Sequence, residues 1–268
     1  MIESLLVNML PFLITLICYL LFVFCIALIK HDNSVMDIAY GPAFFVSALG
    51  ALVWTGTSAL LPISIAAVIA IWALRLAVRI YRKNHGKPED ARYAAWRNLW
   101  MKRGYRYFVL RSLLQIYLLQ GTIIFLVATP FIIALATPLA LSWPFLILGL
   151  GISLCGITIE TTADYQLDQF LTRKRAGTEP AVLMTTGLFH YARRPNYFGE
   201  TLIWWGLAIM VLPLPFGYLA LMSPLVITYI VTSVTGPMLE NIFLAKYPVE
   251  YREYMRTTPY FIPWFPKA

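Results

Sequence analysis

The apolar positions of this chain do not alternate with polar ones in narrow stripes; they fill long runs. Seven runs can be drawn, over residues 10–29, 35–54, 61–81, 113–136, 144–163, 200–212 and 216–240. A helix crossing the hydrocarbon of a bilayer needs about 20 consecutive apolar residues. A helix hydrophobic on every side has no polar face to offer water. The pattern therefore predicts an all-α fold, a polytopic membrane protein built as a seven-transmembrane-helix bundle. The sixth run is short for a crossing, and Pro130 inside the fourth predicts a kink.

Composition agrees. Of 268 residues, 60% are hydrophobic and 13% charged, too few charges to cover a soluble surface of this size. Basic residues cluster where alternate runs end: Lys30; then Arg75, Arg79, Arg82 and Lys83; then the loops 82–112 and 164–196; then the tail with Lys246, Arg252, Arg256 and Lys267. The opposite loops, near 55–59, 137–143 and 213–215, carry no charge. The positive-inside rule then puts the N-terminus outside and the C-terminus in the cytoplasm. The net charge of +8 is read as topology and contact with anionic membrane lipid rather than nucleic acid, for which no motif is present. The first run is too long for an ordinary signal peptide and is expected to stay as a span. Cys18, Cys25 and Cys155 lie in apolar runs and read as small packing residues. The chain reads as one membrane domain, with a substrate-side half (1–112) and a cofactor-binding half (113–268).

Polar residues that lipid would penalise are the candidates for function. The densest stretch, residues 187–200, holds Arg193, Arg194, Asn196, Tyr197 and Glu200 beside the sixth run. Asp37 and Tyr40 share a helix face at the start of the second run. They read either as hydrogen-bond donors to a substrate carbonyl or as a helix-capping aspartate with an interfacial tyrosine. Trp72 and Arg75 share a face of the third run, with Arg75 expected to meet an anion or to snorkel. Glu160, Asp164 and Asp168 fall at i, i+4 and i+8, suited to nucleotide hydroxyls or to a ladder of pairs with Arg173, Lys174, Arg175 or Arg193. The stretch from Asn84 through Lys87 to Tyr93 is a turn able to hold phosphate, or a solvated loop. Tyr247, Tyr251 and Tyr254 make a helical stripe of interfacial type, and Glu240 is the better functional candidate beside them. His85 and His190 lack partners at metal spacing, and no metal site is expected.

With Ala163-Asp164-Tyr165-Gln166-Leu167, Thr186-Gly187-Leu188-Phe189, Arg194-Pro195-Asn196-Tyr197-Phe198-Gly199-Glu200 and Phe261-Ile262-Pro263-Trp264 in view, the chain resembles the bacterial branch of the steroid 5-alpha-reductase family, and related sterol reductases share its C-terminal half. The resemblance implies a seven-helix bundle in the bacterial cell membrane that reduces the C=C bond of an enone with NADPH. It implies that Asn196, Glu200 and Asp164 hold cofactor, that Arg75 and Asn84 lie near it, and that Asp37 binds the substrate carbonyl. Trp72 stands where the steroid enzymes have a tyrosine, Arg194 where the family has a histidine, and Gly236 and Glu240 where a late histidine and tyrosine touch cofactor.

The expected chemistry is hydride transfer to the β-carbon of a lipophilic, steroid-like enone, with catalytic groups Asp37, Tyr40 and Trp72. The expected cofactor contacts are Arg75, Asn84, Lys87, Glu160, Asp164, Arg173, Arg193, Arg194, Asn196, Tyr197, Glu200 and Glu240. Partners reduce to the lipophilic substrate and membrane lipid, with no obligate protein partner. Two rivals remain: an S-adenosylmethionine-dependent isoprenylcysteine- or phospholipid-type methyltransferase, which carries a similar Arg-His-Pro-x-Tyr-x-Gly signature, and a non-enzymatic lipid-binding protein.

Overall fold

The computed structural model describes residues 2–137 and 140–266, and among them every regular element is helical. Lys267, counted above among the basic tail residues, lies outside them. The chain packs as two compact units, Met1–Ser142 with Val211–Ala220, and Trp143–Met210 with Leu221–Ala268.

The first unit opens with α1 (Ile2–Lys30), α2 (Val35–Thr55) and α3 (Leu60–Asn84). Small residues let these helices approach. A Cβ added at Gly41 would come within 3.2 Å of the Ala73 carbonyl oxygen, and one at Gly50 would meet the Thr15 side chain. Gly56 ends α2 in the left-handed region at φ 62°, its N–H bonding the Leu52 carbonyl, a conformation that suits a residue without Cβ. α4 (Ala91–Met101) starts at Asp90, whose carboxylate accepts the Arg92 backbone N–H and so caps the helix. α5 (Tyr105–Ser112) runs through a π-helical segment at Leu113–Leu118 into α6 (Leu119–Val127), and α7 (Thr129–Ala136) follows a break at Ala128. The break precedes Pro130, whose missing N–H and ring disfavour an unbroken helix. Phe12, Phe44, Trp72, Tyr117 and Phe131 are buried in this core.

The second unit contains α8 (Trp143–Arg175), α9 (Leu188–Tyr191), α10 (Pro195–Val211), α11 (Met222–Tyr229), a π-helical segment at Ile230–Thr235, α12 (Gly236–Lys246) and α13 (Glu250–Thr257). α8 and α10 meet along a seam of small residues. A Cβ at Gly156 would lie 2.6 Å from the Gly199 carbonyl oxygen, one at Gly199 would lie 2.6 Å from the Glu160 nitrogen, and one at Gly206 would strike Ser153 and Gly149. Ser153 also donates to the Ile203 carbonyl at 3.1 Å. Without hydrophobic force between helices in lipid, such close backbone packing is what holds them together.

Among the described residues, six helical stretches are long and apolar enough to cross a membrane: Leu5–Lys30, Val35–Thr55, Leu60–Asn84, Tyr105–Val127, Trp143–Arg175 and Gly217–Lys246. The chain is an integral membrane protein by this measure. The expected sixth run is α10, with 17 residues and a largely buried face. At about 1.5 Å per residue it is shorter than the hydrocarbon is thick. Cys18, Cys25 and Cys155 are exposed on their helices rather than packed inside, which corrects their assignment as packing residues.

Candidate functional sites

In the first unit the second-helix aspartate is not the cap of its helix. Ser34 occupies the N-cap position of α2, and Asp37 lies one turn in. Its carboxylate reaches α4, where the Tyr93 hydroxyl donates to Oδ1 at 2.6 Å and Arg92 Nη2 donates to Oδ2 at 3.2 Å. Burial, reinforced by the charge of Asp37 and its hydrogen bond, pushes the Tyr93 phenol above its ordinary value. Tyr93 therefore keeps its proton and acts as a hydrogen-bond donor.

Tyr40 and Trp72, the other expected catalytic residues, both pack edge-on against Phe44, with ring centroids at 5.4 and 5.5 Å. The stretch 84–93 is exposed over residues 85–88 and tied down at Glu89. Arg97 forks onto Glu89 at 2.9 and 2.8 Å, and the Asn33 backbone N–H donates to Glu89 Oε1 at 2.8 Å. Asp90 is held below the usual carboxylate range, chiefly by its side-chain hydrogen bond to Arg92. Arg75 is half-buried, Asn84 is the last residue of α3, and Lys87 is exposed with its ammonium on the Lys83 carbonyl. The tyrosine that meets Asp37 was missed, although the stretch containing it stood out in the sequence.

In the second unit the seam of small residues sets Glu160 against Gly199 of α10. Glu160 and Asp164 are both buried, whereas Asp168 on the same expected face is exposed. Asn196, Tyr197 and Glu200 are half-buried in the first turns of α10. Arg173 is exposed and paired with Glu179 at 3.0 Å, so it makes no ladder with the acids of α8.

Arg193 and Glu240, both expected to touch cofactor, touch each other. Arg193 Nε and Nη2 lie 2.9 and 2.8 Å from Glu240 Oε1, and Nη1 donates to the carbonyls of Thr258 at 2.6 Å and Met255 at 3.2 Å. One guanidinium thus ties α12 and the end of α13 to the start of α10. The tyrosine stripe is also different. α12 stops at Lys246 before Pro248, and Tyr251 and Tyr254 turn inward, buried, on α13. Tyr251 stacks on Phe243 at 5.2 Å, and the Tyr254 hydroxyl donates to the Phe189 carbonyl.

Arg194 behaves differently from its neighbour. It lies over the Phe243 ring at 5.2 Å. Its Nε and Nη2 are buried with no hydrogen-bond partner among the described residues. It lines a cavity of about 480 Å³ within the second unit.

A family model described as "Protein of unknown function (DUF1295)" matches residues 23–258. The chain belongs to this family. Comparison with curated proteins finds no match, and comparison with solved structures finds none. The matched segment of this DUF1295 chain contains Asp37, Tyr93, Arg193, Arg194 and Glu240, so both clusters belong to the part that defines membership.

Proposed function

We propose that this protein reduces the C=C bond of an enone in a lipophilic, steroid-like substrate, with NADPH as reductant. DUF1295 is associated with steroid 5-alpha-reductase-like membrane proteins, which supports the resemblance of the motifs. The same proposal takes α10 as a seventh crossing, with the N-terminus outside and the C-terminus in the cytoplasm of a bacterial cell.

The observation that carries the proposal is the hydrogen bond from Tyr93 to Asp37. Reduction of an enone puts negative charge on the carbonyl oxygen, and a pre-placed donor lowers that barrier. The Tyr93 hydroxyl donates to Asp37 near the start of α2, with Arg92 beside them to balance the carboxylate. This pair, rather than Tyr40 or Trp72, would hold the substrate oxygen. Indole donates a hydrogen bond but no proton, which makes Trp72 a poor replacement.

The donor set of the second unit fits a nucleotide. Buried Glu160 and Asp164 are acceptors for hydroxyls, and Asn196 and Glu200, one turn apart on α10, offer an amide and a further carboxylate. The backbone at Gly199 is bare where a Cβ would press on Glu160. NADPH, when bound, supplies the hydride. The protein residues orient it, exclude water and hold the proton.

The experiment is a thermal titration of detergent-purified protein with NADPH, NADH and S-adenosylmethionine. A ligand at 100 times its dissociation constant adds about 2.7 kcal/mol. NADPH is expected to raise the melting temperature of the wild type and not of Asn196→Ala or Glu200→Ala. A shift with S-adenosylmethionine alone would replace the reductase by a methyltransferase, and no shift with any of the three would leave a lipid-binding protein.

A further inference from the structure

The cavity beside Arg194 has a chemistry of its own, independent of the reductase proposal. One wall is aromatic, from Phe170, Phe189, Phe243 and Tyr251. The rest is largely aliphatic, with Leu167, Leu171, Val182, Leu183, Met184 and Ile242. Lys174, Arg193, Arg194 and Lys246 contribute positive charge, and no carboxylate of the described residues lines it. The charges are not equivalent. Arg193 is spent on Glu240 and on two backbone carbonyls. Lys174 donates to the Ala181 carbonyl at 2.5 Å, and Lys246 lies over the Tyr247 ring at 5.2 Å. Arg194 is left with two buried N–H donors unused.

A buried donor without a partner is costly, and a charged one more so. Two adjacent guanidinium donors match two oxygens of a carboxylate or phosphate. Glu240 is already neutralised by Arg193 and accepts the Tyr251 hydroxyl at 3.4 Å. No carboxylate among the described residues that line the cavity completes Arg194. The remaining lining has little to offer a ligand with many polar groups. It suits a body of aliphatic carbon. At about 480 Å³ the space falls in the range of small-molecule sites, roughly 300–1,000 Å³. Leu171, Val182 and Ile242 of this lining are exposed apolar side chains.

We propose that this cavity binds a single-chain amphiphilic anion, its phosphate or carboxylate on Arg194 and its hydrocarbon against Phe170, Phe189 and Phe243. The same chemistry is offered by a free alkyl anion and by the headgroup and chain of an anionic phospholipid. Affinity is measured on the full chain in a neutral maltoside detergent, by melting temperature and Trp fluorescence. The probes are dodecyl phosphate, dioleoylphosphatidylglycerol, inorganic phosphate and NADPH. Dodecyl phosphate is expected to bind saturably, inorganic phosphate alone at least tenfold more weakly. Arg194→Gln is expected to weaken dodecyl phosphate at least tenfold. Leu183→Trp, which fills the cavity and keeps the arginine, is expected to do the same, and serves if Arg194→Gln does not fold. Binding of the phospholipid with equal affinity assigns the site to bilayer lipid, and preference for dodecyl phosphate assigns it to a free amphiphile. Unchanged affinity in either folded variant overturns the proposal. So does displacement of dodecyl phosphate by NADPH, which would make the cavity part of a nucleotide site. Loss of NADPH binding in Asn196→Ala with dodecyl phosphate retained leaves the present site standing alone.

Discussion

The Tyr93 hydroxyl sits 2.6 Å from Asp37 Oδ1, joining residues 56 apart in sequence and tying α4 back to the start of α2. Two features make this bond possible. Asp90 caps α4 and fixes its first turn, and Arg97 and Glu89 tie the preceding loop to Asn33 beside the start of α2. The first unit therefore presents a carboxylate and a phenol as one hydrogen-bonded group.

If that pair holds the substrate oxygen, removing either partner should slow turnover without disturbing cofactor. Tyr93→Phe and Asp37→Asn should each lower kcat by about 10²–10⁴-fold, the usual contribution of a positioned acid. The dissociation constant of NADPH should stay within about threefold of wild type in both. Tyr40→Phe should leave kcat nearly unchanged. An equal loss of kcat and NADPH affinity in Tyr93→Phe would assign the pair a structural role.

The buried phenols also set how the fold responds to alkali. Burial raises the pKa of Tyr93 and Tyr254, and pushes Tyr260 up to about 12. The unfolded chain releases these protons near pH 10, about the ordinary tyrosine value. Above that pH the unfolded state binds fewer protons than the folded one, so stability falls as pH rises. Melting temperature should hold steady up to about pH 10 and then decline, and Tyr254→Phe should make the decline shallower. An unchanged slope would show that Tyr254 ionises as freely in the fold as outside it.

Arg193 and Glu240 make a buried pair, with side chains 7% and 16% exposed. Arg193→Met leaves an uncompensated carboxylate and should cost about 3–5 kcal/mol. The double change Arg193→Met with Glu240→Gln removes both charges and should recover part of that loss. Thermal denaturation of the three variants measures the coupling. Additive losses would mean that the two side chains act independently.

The seam between α8 and α10 leaves no room for a side chain. Gly206→Leu should push the helices apart and lower stability by about 1–3 kcal/mol, the usual cost of overpacking, or more if the helices cannot adjust. Gly151, which has open space around its would-be Cβ, is the control: Gly151→Ala should be neutral or slightly stabilising. Equal melting temperatures for both variants would place the contact elsewhere.

Helix and membrane character could be read directly, because a run of apolar residues carries its own length and needs no partner. Four of the expected runs sit inside helices long enough to cross, the seventh starts one residue before such a helix, and the expected fourth is broken at Ala128 beside Pro130. What the pattern could not give was direction. Tyr93, Tyr251 and Tyr254 look alike in sequence, yet the first finds Asp37, the second stacks on Phe243 and the third reaches the Phe189 carbonyl. Arg193 and Arg194 are adjacent and identical, and both lie in the non-helical link between α9 and α10, where no helical period sets their directions. One meets a carboxylate and the other an aromatic ring. Spacing on a single helix also overstated the acids of α8, since Glu160 and Asp164 turn inward and Asp168 does not.

Reporter fusions that map orientation are commonly joined near a C-terminus, and the carbonyls of Met255 and Thr258 are bound by Arg193. A tag appended after residue 266 leaves that clasp closed. One that replaces the chain from residue 255 onward opens it, and a misrouted reporter would then report a broken fold rather than the side of the membrane.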